Sequence, residues 1–176
     1  MKKTLLLVIG GVLFVVGVGV AFLVRDEPPK KPLLEISAAP LVRLSDGEEH
    51  TFAKLSSAPR LVNFWATWCA PCIFEMPLLE QASLKYKNVH FSGIAIDHPD
   101  LVRPFLDKIA VTYDIWTPKF DIFLLFEGYG NKNGVLPYTL HLDKNGDVIA
   151  RKIGEFHSVE DIGEFISENL SENIAN

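Results

Sequence analysis

An α/β domain with a central mixed sheet flanked by helices is predicted by three features of this 176-residue sequence. Between Arg60 and Ala110 two compact apolar runs alternate with two amphipathic ones, in the order strand, helix, strand, helix. Two polar turns, Ser45-Asp46-Gly47 and Lys144-Asn145-Gly146, each join short segments in the manner of a hairpin. A hydrophobic content of 48% suffices for a substantial core in one domain.

The chain opens with Leu5 to Val24, twenty consecutive apolar or glycine positions without a charge. At helical rise they span roughly 30 Å, the thickness of a bilayer core. Lys2 and Lys3 precede the run. A cleaved signal peptide has a shorter apolar stretch, so residues 1–24 are expected to form a retained transmembrane signal-anchor. The short N-terminus favours a domain outside the cytoplasm, while Arg25, Lys30 and Lys31 after the span weaken the charge argument for that orientation. Residues 25–37, charged and rich in proline, are expected to be a solvated linker, leaving 38–176 as the folded domain.

Within that domain Leu41 to Leu44 and Thr51-Phe52 read as the first hairpin. Arg60 to Ala66 is apolar but for Asn63 after its first residue, as suits a strand covered on both faces. A helix is expected from the cysteine pair to about Tyr86, kinked at Pro77, with Phe74, Leu78, Leu79 and Ala82 inward. Val89 to Asp97 is the next buried strand. Pro99 to Ala110 follows as a helix burying Leu101, Phe105, Leu106 and Ile109. From Thr112 to Val135 the pattern is irregular, with a short helix near Ile122 to Glu127. Tyr138 to Asp143 and Asp147 to Ile153 make the second hairpin, and Ser158 with Asp161 caps a final helix to about Leu170.

The chain is acidic overall, with 22 Asp and Glu against 17 Lys and Arg, which argues against nucleic-acid binding. The single histidines His90 and His98 have no partner ligands at metal-site spacing, so neither metal nor cofactor is expected. The two cysteines, Cys69 and Cys72, carry the chemistry. A ring this short adds only about 2 kcal/mol as a structural staple. Placed where a buried strand turns into a helix, Cys69 instead meets unpaired amides and the positive dipole end, which favour the attacking thiolate. Half a zinc site and an inert disulfide are the alternatives.

The run Trp68-Cys69-Ala70-Pro71-Cys72, with Pro77 five residues on, resembles the active-site helix of thioredoxins. The longer stretch from Asn63 to Cys72, the segment Gly134 to Gly154 and the apolar N-terminus are more similar to the membrane-anchored, extracytoplasmic TlpA/ResA type, which includes cytochrome c-maturation thioredoxins. The resemblance implies a thioredoxin fold with an added N-terminal β-hairpin and a central insertion, preceded by one transmembrane helix.

It also implies that Cys69 is the nucleophile and Cys72 the resolving thiol, that Pro137 is a cis-proline facing them, and that Leu136 pairs with an extended substrate. Trp68 and Pro71 would flank the substrate. Asn63 stands where thioredoxins carry a buried aspartate, so proton transfer falls to Glu75, one helical turn beyond Cys72; a solvated surface carboxylate is the competing reading. The implied activity is reduction of protein disulfides, with apocytochrome c among the implied substrates and a membrane thiol reductase as electron donor. Disulfide formation by the same residues, or peptide binding without turnover, are the other functions considered.

Overall fold

The computed structural model describes residues 38–51 and 58–172, all within the compact unit Pro32–Asn176. The expected membrane anchor and linker lie outside the described residues. No helix among the described residues is long and apolar enough to cross a membrane.

The strands are β1 (Pro40–Arg43), β2 (Glu49–Thr51), β3 (Arg60–Trp65), β4 (His90–Ala95), β5 (Asp114–Pro118), β6 (Tyr138–Leu142) and β7 (Val148–Ile153). The helices are α1 (Ala70–Lys85), α2 (Pro99–Leu106), α3 (Ile122–Gly128) and α4 (Val159–Glu172). The strands form one sheet in the order β2-β1-β5-β4-β3-β6-β7. β3 is parallel to β4 and antiparallel to β6, and β5 is parallel to β4 but antiparallel to β1. This is the mixed sheet expected, in a thioredoxin-like arrangement.

Alternation along the strands divides the core in two. Val62, Phe64, Ile94, Trp116, Tyr138, Leu140 and Leu142 pack with Ile122, Leu125 and Phe126 of α3. On the other face Trp65, Ala95 and Ile115 meet Cys72 and Met76 of α1 and Val102 of α2. Leu61 and Phe91 on that face meet Leu79 and Ala82 of α1 and Ile162 and Ile166 of α4. Each such large side chain taken out of water contributes roughly 2 to 3 kcal/mol. Gly93 in β4 permits the close packing of this face, since a Cβ there would stand 3.0 Å from the Trp65 indole nitrogen and 2.8 Å from Ile115.

Three sequence expectations require correction. Asp114–Pro118 is a strand, β5, inserted between β1 and β4, although the segment reads as irregular. Its five residues begin with aspartate and end in proline, and only pairing to neighbours on both sides makes it extended. Phe74 is 78% exposed: α1 turns Cys72, Glu75, Met76, Leu79 and Ala82 inward, and Phe74 lies about 200° around the helix from Cys72. Helix α2 ends at Leu106 rather than Ala110 and buries Val102, so Leu101, one position earlier, faces solvent.

Candidate active site

Strand β3 leads directly into the site. From Trp65 the chain passes through Ala66, Thr67 and Trp68 to Cys69, which is the N-cap of α1. Asp97, just past β4, accepts a hydrogen bond from the Thr67 backbone at 2.5 Å and ties this turn to the neighbouring strand. Cys69 and Cys72 are joined as a disulfide, with an S–S distance of 2.01 Å and Cα atoms 5.3 Å apart. The Cys72 backbone N–H donates to Cys69 Sγ at 3.3 Å. An unpaired amide of the first helical turn thus points at the outer sulfur, as a developing thiolate requires. Cys69 keeps 5% of its surface in solvent and Cys72 keeps none.

The flanking residues divide by exposure. Trp68 is 68% exposed beside Cys69, and Pro71 is half-buried in the first turn of the helix. The Leu136–Pro137 peptide bond is cis. Antiparallel pairing of Phe64 with Tyr138 sets Pro137, one residue before Tyr138, at the end of the sheet where β3 turns toward Cys69. Leu136 packs against the cluster that contains both cysteines. The structure therefore brings Trp68, Cys69, Pro71, Cys72, Leu136 and Pro137 to one end of the sheet.

Glu75 is not a solvated surface carboxylate. It is wholly buried, its Oε1 accepts from the Asn63 side-chain amide at 2.6 Å, and its Oε2 accepts from the Phe156 backbone N–H at 2.9 Å. The same Asn63 amide nitrogen donates to Thr139 Oγ1 at 3.0 Å. Burial pushes the carboxyl up to about 7 despite the lowering effect of the hydrogen bonds from Phe156 and Asn63. Glu155 adds to the rise and Lys152 opposes it.

Sequence reasoning did not find Thr139, the Phe156 amide or Asp97. Thr139 and Phe156 are 76 and 81 positions from the residues they bond, and no local pattern marks such pairs. Asp97 had one signal, a lone carboxylate at the end of a buried apolar strand. Among the described residues no group of His, Cys, Asp and Glu is arranged to hold a metal ion.

A Cys-x-x-Cys pair at the start of the helix that follows a central strand, with a cis-proline at the same end of the sheet, defines a redox protein of the thioredoxin-fold class. Residues 35–166 match the family described as Redoxin, and the chain belongs to that family. Over 117 residues it is 35% identical to the thiol-disulfide oxidoreductase ResA of Geobacillus thermodenitrificans, a match covering 64% of this chain and 65% of that relative. It is 34% identical over 151 residues to the thiol:disulfide interchange protein HelX of Rhodobacter capsulatus, covering 79% of this chain and 80% of the relative. The crystal structure of a thioredoxin-related protein from Neisseria meningitidis serogroup B shares its fold with a TM-score of 0.65 at 31% identity, over 74% of this chain and 98% of that one. These similarities bear out the TlpA/ResA-type resemblance read from the sequence.

Proposed function

We propose that this protein is an extracytoplasmic thiol-disulfide oxidoreductase that reduces disulfides in other proteins. The observation that carries the reading is the Cys69–Cys72 disulfide at the N-terminus of α1, with Cys69 keeping 5% of its surface in solvent and Cys72 none. In the dithiol form the Cys69 thiolate attacks one sulfur of a substrate disulfide, forming a mixed disulfide and releasing the other substrate sulfur as a thiolate. Cys72, deprotonated, then attacks Cys69 Sγ, releasing the second substrate thiolate and closing the Cys69–Cys72 bond. Two electrons pass to the substrate in each cycle, and a membrane dithiol reductase resupplies them.

Glu75 is the proton acceptor assigned to Cys72. It lies one turn along the same helix, is buried, and changes protonation near neutral pH. Trp68 and Pro71 flank the attacked sulfur, and the backbone at Leu136-Pro137 pairs with an extended substrate segment. Residues 5–24 hold the domain at the membrane, and the haem-attachment cysteines of apocytochrome c are the substrate that the TlpA/ResA-type sequence resemblance implies.

Three measurements test this reading. Cys69→Ala and Cys72→Ala variants, alkylated across a pH range, should show rapid labelling only where Cys69 remains. Faster labelling of Cys72 reverses the assigned roles. Cys72→Ala should also accumulate mixed disulfides through Cys69 with exported or membrane proteins. Equilibration with glutathione should place the potential nearer to about −270 mV than to about −120 mV, and a value at the oxidising end transfers the reading to disulfide formation.

A further inference from the structure

The loop that precedes the cis-proline is held by one buried side chain. Asn131 is 1% exposed and uses every polar group it has. Its side-chain Nδ2 donates to the Val135 carbonyl at 2.9 Å, and its Oδ1 accepts from the Val135 N–H at 2.9 Å. Its backbone N–H donates to the Phe126 carbonyl at the end of α3 at 2.8 Å, and its carbonyl accepts from Gly134 N–H at 3.1 Å. The turn is packed as well as bonded. Gly134 sits at φ +62, and the Phe123 ring lies where a side chain at Gly134 would stand.

The paired bonds to Val135 mimic a bridge between strands and take both polar groups of that residue's backbone. At the next residue the pattern stops. Neither the N–H nor the C=O of Leu136 has a hydrogen-bond partner among the described residues, whereas the Pro137 carbonyl is taken by Gly154 N–H at 2.9 Å. Leu136 is half-buried, and the backbone is pinned on both sides of one open peptide position. A donor and an acceptor left open on a rigid frame, beside the disulfide, suit addition of one extended strand.

We propose that Asn131 is a positioning residue for substrate capture, fixing the Val135–Leu136 backbone so that Leu136 can pair with the main chain of a polypeptide disulfide. The inference rests on the reductase reading above and adds to it the side chain that sets the geometry of the peptide-pairing position. Asn131 does not touch the sulfur atoms, so its effect falls on binding and not on exchange.

The test compares a synthetic peptide disulfide with cystamine, which has no main chain to pair. Asn131→Ala should raise KM for the peptide about tenfold with kcat nearly constant, and leave cystamine reduction unaltered. Asn131→Asp, which keeps the acceptor for Val135 N–H and loses the donor, should fall between. An unchanged peptide KM in the folded variants, or equal losses on both disulfides, overturns the assignment. Amide hydrogen exchange gives a second readout that survives poor folding of Asn131→Ala. In protein that retains Asn131, Val135 N–H should be protected and Leu136 N–H open, with Leu136 becoming protected once a peptide is trapped on Cys69 in Cys72→Ala; an open Leu136 amide in the trapped complex also overturns it. Wild-type protein that reduces neither disulfide defeats the reductase reading itself, and the positioning role falls with it.

Discussion

Glu75 and His141 are both wholly buried against the same face of the sheet, yet the Glu75 carboxylate accepts two hydrogen bonds and the His141 ring makes none among the described residues. Thr139 and His141 alternate with Leu140 and Leu142, which face α3, so both turn toward α1 and α4. Thr139 belongs with Asn63 to the network that receives Glu75. His141, two residues on, lies against the Phe165 ring with the two planes tilted by 44°, and neither ring nitrogen finds a hydrogen-bond partner among the described residues.

Burial disfavours the charged form of both groups. It pushes His141 down to about 4, opposed by Asp143, and Glu75 up to about 7. Two donors to the carboxylate hold the Glu75 transition near neutrality, whereas His141 stays a neutral packing group throughout the physiological range. The two groups differ in what surrounds the charged form: donors meet the Glu75 carboxylate, and no hydrogen-bond partner among the described residues meets the His141 ring.

The largest expected effect comes from removing the partnered group. Glu75→Ala leaves the Phe156 N–H and the Asn63 amide without their acceptor and opens a cavity, at a cost of about 4 kcal/mol in denaturant unfolding at neutral pH. His141→Leu should instead be neutral or stabilising by about 1 kcal/mol, because no bond is lost and an unpartnered polar ring leaves the core. Equal destabilisation by the two substitutions would break the comparison.

Next in size are the pH slopes. The folded state holds a proton on Glu75 that the unfolded chain releases above about 4.5, so this stability is present at low pH and lost as pH rises toward about 7. For His141 the unfolded chain takes the proton, so stability is present above about 6.5 and lost as pH falls toward about 4. The two effects oppose each other in the overlapping window. Between about pH 4.5 and 6.5, Glu75→Gln should therefore gain stability with rising pH and His141→Leu should lose it, each by up to about 1.4 kcal/mol per pH unit. Parallel slopes in the two variants would show that one of the assigned shifts has the wrong sign.

A smaller change sharpens the functional half of the contrast. Glu75→Gln should retain the fold and alter the pH dependence of thiol exchange near neutrality, while His141→Leu should leave that profile superimposable on wild type. The smallest effect is expected at Phe74→Ser, which should change stability by under about 0.5 kcal/mol because the ring is 78% exposed. A larger loss there would mean that the outer face of α1 is covered.

Much of the frame was legible because its signals are local. The turns around Gly47 and Gly146 impose hairpins, both glycines taking positive φ. Ser158 caps α4 by accepting from Asp161 N–H at 3.0 Å, and the cysteine spacing sets both sulfurs at one helix start. What the sequence concealed depends on distant segments. Strand β5 is extended by its neighbours on each side rather than by its own residues, and the inward face of α1 is chosen by Asn63 and Phe156 as much as by its apolar residues.

The sequence by itself determined the cysteine pair at a helix start and the order of most elements, since each follows from residues within a few positions of one another; the expectation for Pro137, far along the chain from both cysteines, rests on the family resemblance instead. Only the tertiary structure decided that Glu75 is buried and Phe74 exposed, for these face nearly opposite ways on one helix and periodicity favours the aromatic. The choice turns on hydrogen bonding across the fold: an amide from β3 and a backbone N–H from the approach to α4 converge where a carboxylate can accept both and a phenyl ring can accept neither.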